Sequence, residues 1–216
     1  MRRLSEPQRD CPLCPRLVAF RQDNRSRDPD FHNAPVPSFG GRDAHLLIVG
    51  LAPGLKGANR TGRPFTGDYA GDLLYETLRK HEFAQGDYGR RPDDGLVLVG
   101  CRITNAVRCV PPENKPTGRE AATCRRFLEA EIEGLPNLRA VLALGAVAHG
   151  AVLAALGLTR SHFPFRHGAI HDLPAPVWLA DSYHCSRYNT NTGRLTAEMF
   201  DAVFAALRTR LSGVAA

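Results

Sequence analysis

HLLIVGLAPGLKGANRTGRPFTGD, residues 45 to 68, decides how the rest of the chain is read. Its first six residues form an apolar run closing on Gly50, the pattern of a strand covered on both faces. A long glycine- and proline-rich loop follows. TGDYAGDLLYETLRKHEF (66 to 83) then places Leu73, Leu74, Thr77 and Leu78 at helical spacing. The same alternation continues downstream. LVLVGCRITNAV (96 to 107), AVLAL (140 to 144) and PVWLADSYH (176 to 184) read as strands. TGREAATCRRFLEAEIEGL (117 to 135) opens on a capping box, Thr117 with Glu120, and reads as a helix. Residues 146 to 156 give a third helix, and TAEMFDAVFAALRTRL (196 to 211), capped by Thr196, a fourth. Strand–helix alternation predicts an α/β protein: a three-layer α/β/α sandwich around a central, four-stranded, mostly parallel sheet.

In such sheets ligands sit outside the carboxyl ends of the strands. Three of the four expected strands run into special sequence there: GLAPG, ITNAVRC and DSYHCSRYN. The first loop is not a nucleotide cradle. It lacks the Gly-Lys-Ser/Thr of a Walker loop and the Gly-x-Gly-x-x-Gly of a dinucleotide turn. Its glycines either let backbone approach a flat ligand or a DNA strand, or mark an irregular surface loop.

The 216 residues suffice for one domain with a real core, and residues 1–216 are read as one. Hydrophobic content of 43% and charged content of 23% are ordinary for a globular chain. A formal charge of +6 favours an anionic partner, nucleic acid before an acidic membrane surface, or simply marks a mildly basic enzyme. MRRLSEPQRDCPLC has no apolar stretch after its arginines and is no signal peptide. The long uncharged run at 140 to 158 is rich in alanine and glycine with His149 in its middle, which fits a strand and helix, not a membrane span. A cytoplasmic location is expected, and there the six cysteines serve as metal ligands or core residues before they serve as disulfides.

Cys11 and Cys14 form a Cys-x-x-Cys in a proline-rich, non-helical context, and Cys109 and Cys124 lie far downstream. Four such thiolates suit zinc or an iron–sulfur cluster, and spacing does not choose between them. Cys101, inside a strand, and Cys185, in the last loop, read as small core residues. Around Cys109 the chain is basic, with Arg102, Arg108, Lys115 and Arg119 close by. A metal would fix VPPENKP as a rigid finger for phosphates; otherwise these charges form a solvated face.

Taken together, Cys11-x-x-Cys14, GLAPG with GANRTGRPFTGD, ITNAVRC with PPENKPT and Cys124, and YHCSRYNTNTGRLT resemble the uracil-DNA glycosylase superfamily. Within it they are most similar to the iron–sulfur-containing family 5 (type B). The resemblance runs from residue 11 to about 196. It implies a [4Fe-4S] cluster on Cys11, Cys14, Cys109 and Cys124, with residues 1 to 40 supplying two cysteines and extended segments. It also implies excision of uracil, and of other deaminated bases such as hypoxanthine or xanthine, from double-stranded and single-stranded DNA by a monomer.

The same resemblance assigns roles to His184 and Asp68, and side-chain chemistry and position assign the others. His184 donates to the developing charge on uracil O2, helped by backbone N–H groups around Gly50, Ala52 and Gly54. Asn105 offers one donor and one acceptor to the uracil edge. Phe65 stacks beneath the base or anchors its loop. Asp68 orients water or stabilises the cationic sugar, or else caps the following helix. Arg108 and Lys115 meet phosphates, and Arg187 and Tyr188 wedge the duplex or contact phosphate.

Two departures stand out. Leu51 replaces the glutamate of the related family 4, and His184-Cys185-Ser186 replaces His-Pro-Ser. The loss of that glutamate leaves open a non-catalytic iron–sulfur module that binds nucleic acid. A zinc-stabilised phosphate-ester hydrolase lacks the carboxylate-rich centre it needs.

Overall fold

The computed structural model describes residues 6–213. In chain order the elements are α1 (Pro15–Arg27), β1 (Phe39–Gly40), β2 (Leu46–Gly50), α2 (Ala58–Thr61), α3 (Tyr69–Lys80), β3 (Ala84–Gln85), β4 (Val97–Leu98) and β5 (Cys101–Asn105). They continue with α4 (Gly118–Glu133), β6 (Ala140–Leu144), α5 (Ala146–Ala155), β7 (Ile170–Asp172), β8 (Trp178–Ser182), α6 (Arg187–Asn191) and α7 (Ala197–Ser212).

The main sheet has order β1-β5-β2-β6-β8-β7. It therefore has six strands, not the expected four. The four expected strands are its centre, and they are parallel throughout: β5 with β2, β2 with β6, β6 with β8. The two extra strands are short antiparallel edges, β1 on β5 and β7 on β8. Neither carries a hydrophobic run long enough to announce a strand, because an edge strand is held by its neighbour's backbone more than by its own side chains. The run 96 to 107 is also broken: Gly100, at φ +61, separates β4, which pairs with β3 in a small second sheet, from β5.

Every residue of β2, β5, β6 and β8 is buried. Alternation then assigns the faces. Leu46 and Ile48 turn to one core with Leu74 and Leu78 of α3 and Phe200, Phe204 and Leu207 of α7. Leu47 and Val49 turn to the other, with Leu128 of α4 and Ala148, Val152 and Leu153 of α5. The Thr117–Glu120 capping box is present in full, and Thr196 caps α7 through Met199 N. The uncharged run at 140 to 158 resolves into β6, Gly145 and α5, and among the described residues no helix is long and apolar enough to cross a membrane.

The N-terminal segment differs from its reading. Residues after Cys14 are not extended: Pro15 opens the thirteen-residue α1, with Cys14 at its N-cap position. Pro at the first helical position is preorganised for that role, but α1 has only Leu17, Arg21 and Asn24 buried, too few apolar residues to show helical periodicity.

Candidate active site

Sequence and fold bring three strand ends together at one cleft of about 780 Å³. Leu51, Ala52 and Gly54 line it after β2, Gly145 and Ala146 after β6, and His184, Ser186 and Arg187 after β8. Asp68 and Tyr69 enter from the start of α3. At the end of β5, Asn105 is 4% exposed and lies against the same loop. A Cβ on Gly50 would meet Phe65 Cζ at 2.6 Å and collide with Asn105 Oδ1. Glycine at 50 thus lets the amide of Asn105 and the ring of Phe65 meet over one backbone position. That amide has no hydrogen-bond partner among the described residues.

Asp68 occupies the N-cap position of α3 but makes no side-chain cap. Its Oδ1 is buried without a hydrogen-bond partner among the described residues. Burial pushes its carboxyl above the usual aspartate range, and the nearby Gly71 and Ala70 amides pull the other way. Two glycines make room for it: a Cβ on Gly54 would stand 2.9 Å from Asp68 Oδ2, and one on Gly57 2.6 Å from Asp68 Cγ. His184 lines the same cleft and stacks on Phe65, with ring centroids 5.7 Å apart at 28°. Enclosure of the imidazole lowers its pKa to about 4, so the ring is neutral at pH 7.

The loop 50–68 is not loose. Arg63 and Asp94 form a bidentate pair at 2.7 Å, with both side chains almost wholly buried. The Arg63 guanidinium lies against the rings of Phe39, Tyr75 and Tyr88. Tyr75 Oη donates to Pro64 O at 2.6 Å, and Tyr88 Oη donates to Phe65 O at 3.0 Å. These bonds hold Phe65 at φ +52, a left-handed conformation that a bulky residue adopts only when its surroundings enforce it.

The closing loop is equally tied. Cys185 is fully buried, and its thiol donates to Ala70 O at 3.4 Å. Asn189 Nδ2 donates to His184 O at 2.8 Å, and Ser186 Oγ caps α6. Arg187 lies over the Tyr69 ring at 5.3 Å, while Tyr188 is 72% exposed. Lys115 is exposed beside Glu113, and its neighbour Asn114 lines the cleft.

Arg108 does not line that cleft. It is 2% exposed; its Nε donates to Val36 O at 2.9 Å, and its guanidinium binds Thr104 and Glu6. Arg102 is buried beside it on Glu131. The phosphate role read from sequence fails for Arg108, because a charge run does not show which way each side chain points. Lining residues that sequence reasoning missed include Lys56, Phe165, Tyr183 and Arg194. Arg194 lies inside the quoted YHCSRYNTNTGRLT motif, whereas nothing in the sequence marks Phe165.

Cys11, Cys14, Cys109 and Cys124 line one small cavity with Leu17, Val107 and Phe127. Burial raises the Cys109 thiol to about 12 and the Cys124 thiol to about 11. Arg21, 4% exposed, brings Nη1 to 3.9 Å from Cys109 Sγ, and its Nε has no partner among the described residues.

The chain is similar to known proteins along most of its length. Residues 37–208 match the family model described as the uracil DNA glycosylase superfamily. The chain is 48% identical to a type-5 uracil-DNA glycosylase of Thermus thermophilus, over 94% of each chain. It is 43% identical to one of Mycobacterium leprae, over 90% of this chain and 88% of that one. With one of Pyrobaculum aerophilum the identity is 41%, over 88% and 84%.

Proposed function

Because the chain belongs to the uracil DNA glycosylase superfamily, we propose that it excises uracil from DNA by hydrolysing the N-glycosidic bond, leaving an abasic site. The observation that carries this is a cleft lined by a buried carboxylate, Asp68, and a neutral imidazole, His184, with Phe65 stacked on that imidazole and the Asn105 amide meeting Phe65 over Gly50. A base in a duplex is out of reach, so the nucleotide turns out into the cleft at a cost of a few kcal/mol. Asn105 then pairs with O4 and N3–H, which cytosine presents with donor and acceptor reversed. Phe65 supports the ring. As the bond to C1′ lengthens, negative charge gathers on uracil O2, which accepts a hydrogen bond from the N–H of neutral His184. Asp68 stabilises the cationic sugar, holds the water that adds to C1′ and takes up the proton this water loses, while uracil leaves as the anion. Hypoxanthine and xanthine are further substrates in this reading, with double-stranded DNA as the main partner of a monomer.

The cysteine site fits a [4Fe-4S] cluster. Four convergent thiols in an apolar shell, with a buried arginine short of a partner, match an anionic metal–thiolate group. When bound, the cluster cross-links α1, the loop after β5 and α4; Arg21 and the Arg108 amide, which donates to Cys124 Sγ at 3.4 Å, hold its thiolates.

The deciding experiment incubates the iron-loaded protein with a labelled duplex carrying one uracil and then heats it in alkali. Strand scission at the uracil, absent with thymine in its place, is expected; an intact strand overturns the reading. Salt dependence separates the two arginines. Arg187→Ala should flatten the log Kd against log salt slope by about one unit. Arg108→Met should leave the slope unchanged and cost about 3–5 kcal/mol of stability, because Glu6 and Glu131 lose a buried partner.

A further inference from the structure

Besides the four cysteines, the described residues contain one group of ligating side chains that the proposed reaction does not use. His149 of α5, His171 of β7 and Asp181 of β8 bring one donor atom each within 4.8 Å of the others. His149 is 1% exposed and Asp181 fully buried, so this is not a chance meeting of surface charges. His149 Nδ1 lies 2.7 Å from Asp181 Oδ1, and His171 Nε2 lies 3.0 Å from Asp181 Oδ2.

The other nitrogen of His149 settles its tautomer. Nε2 sits 2.8 Å from Phe163 O, an atom that only accepts, so Nε2 carries a proton and donates it. In the neutral ring Nδ1 is then a lone pair, and it faces a carboxylate oxygen. Two acceptors do not rest at that separation unless a cation joins them. No lysine or arginine side chain reaches Asp181 among the described residues; its remaining partner is the Arg166 amide at 3.4 Å. A buried carboxylate without a compensating positive charge costs several kcal/mol. A ring nitrogen aimed inward, with its twin donating to a backbone carbonyl, is the arrangement of a metal-ligating histidine.

We propose that His149 Nδ1, His171 Nε2 and Asp181 bind one divalent transition-metal ion of the zinc class, displacing the proton that otherwise joins His149 to Asp181. Two imidazoles and one carboxylate form a neutral-to-anionic nitrogen–oxygen set that zinc and cobalt accept. Tetrahedral ligation puts nitrogen and oxygen roughly 3.3 Å apart, so the His149–Asp181 gap opens by about half an ångström on loading. A surface hollow lined by Phe165, Arg166, Gly168 and His171 gives the entry path and a place for a water as fourth ligand. The ion fastens α5, β7 and β8 beneath residues 163 to 171. That strap carries Phe165 into the base cleft, and His167 onto the Tyr183 ring at 5.0 Å. The site is thus a structural clasp behind the catalytic end of β8, and it does not depend on the glycosylase assignment.

Cobalt(II) is the probe. Iron-loaded protein, cleared of loose divalent ions, is titrated with CoCl₂ while absorbance and iron content are followed. Expected are one equivalent bound, visible d–d bands without thiolate-to-cobalt charge transfer, retained iron, and reversal by ZnCl₂. His171→Ala and His149→Leu should each weaken binding at least tenfold; His171 reaches the surface, so its loss leaves the fold intact. Three results overturn the proposal. They are the absence of a cobalt band up to millimolar metal, a thiolate band accompanied by iron loss, and equal uptake by both variants. The first would show that a proton alone joins the pair.

Discussion

Exchange of Asp68 for alanine is expected to slow single-turnover excision of uracil by about 10²–10⁴-fold while DNA binding stays within a few-fold of the parent. The expectation rests on where the carboxylate stands. It could have served as a helix cap, yet it makes no cap bond, and its Oδ1 lies buried without a partner. A carboxylate held this way is poorly solvated and raised in pKa, a cost that a purely structural aspartate would not incur. The sign for stability follows. A folded-state pKa above the unfolded value means that the charged form destabilises the fold at neutral pH and that this penalty fades as pH falls through the folded value. Asp68→Asn should therefore match or exceed the parent in Tm at pH 7 while losing activity. The parent's rate should fall on the acid side at a higher pH than a free aspartate would give. The residual rate of Asp68→Asn should lack that limb and persist until His184 gains its proton at about 4. Excision by Asp68→Ala within threefold of the parent would remove Asp68 from the chemistry.

The second large effect belongs to the cysteines. Cys109→Ser, made in the iron-loaded protein, should abolish the brown colour and lower Tm by more than 10 °C. Cys101→Ser should keep the colour, since Cys101 lies inside the main core with its thiol donating to Phe83 O. The asymmetry comes from what each sulfur holds together. Cys11 and Cys14 precede α1, Cys109 follows β5 and Cys124 lies on α4, so one cluster joins segments about a hundred residues apart in sequence. Without it the third hydrophobic cluster, built on Leu17, Val107, Cys124 and Phe127, is small. Full colour retention in Cys109→Ser would exclude this ligand set.

The central sheet was legible because its four parallel strands are buried on both faces and therefore continuously apolar. The capped helices were legible because Thr117–Glu120 and Thr196 are local chemistry. The edges β1 and β7 were not, since two- and three-residue strands owe their conformation to their neighbours. Nor was α1, whose exposed surface leaves no periodic stripe. At the site, Asp68 and His184 line one cleft, Phe65 stacks on His184, and Gly50, Phe65 and Asn105 meet, each residue carried by a contiguous motif. Arg108 does not join them, because Glu6 and Glu131, which enclose it, lie 102 and 23 residues away in sequence. The group His149, His171 and Asp181 was invisible for the same reason: three elements supply one residue each.

The cage around Arg63 bears on how the base is received. With Phe65 fixed before any ligand arrives, recognition spends little conformational entropy on ordering the first loop. Lock-and-key reception of this kind makes selectivity a matter of fit: a bulkier or differently hydrogenated base meets walls that do not yield. Tyr88→Phe, which frees the Phe65 carbonyl, would trade some of that discrimination for tolerance, and a repair enzyme that tolerates normal bases becomes a mutagen.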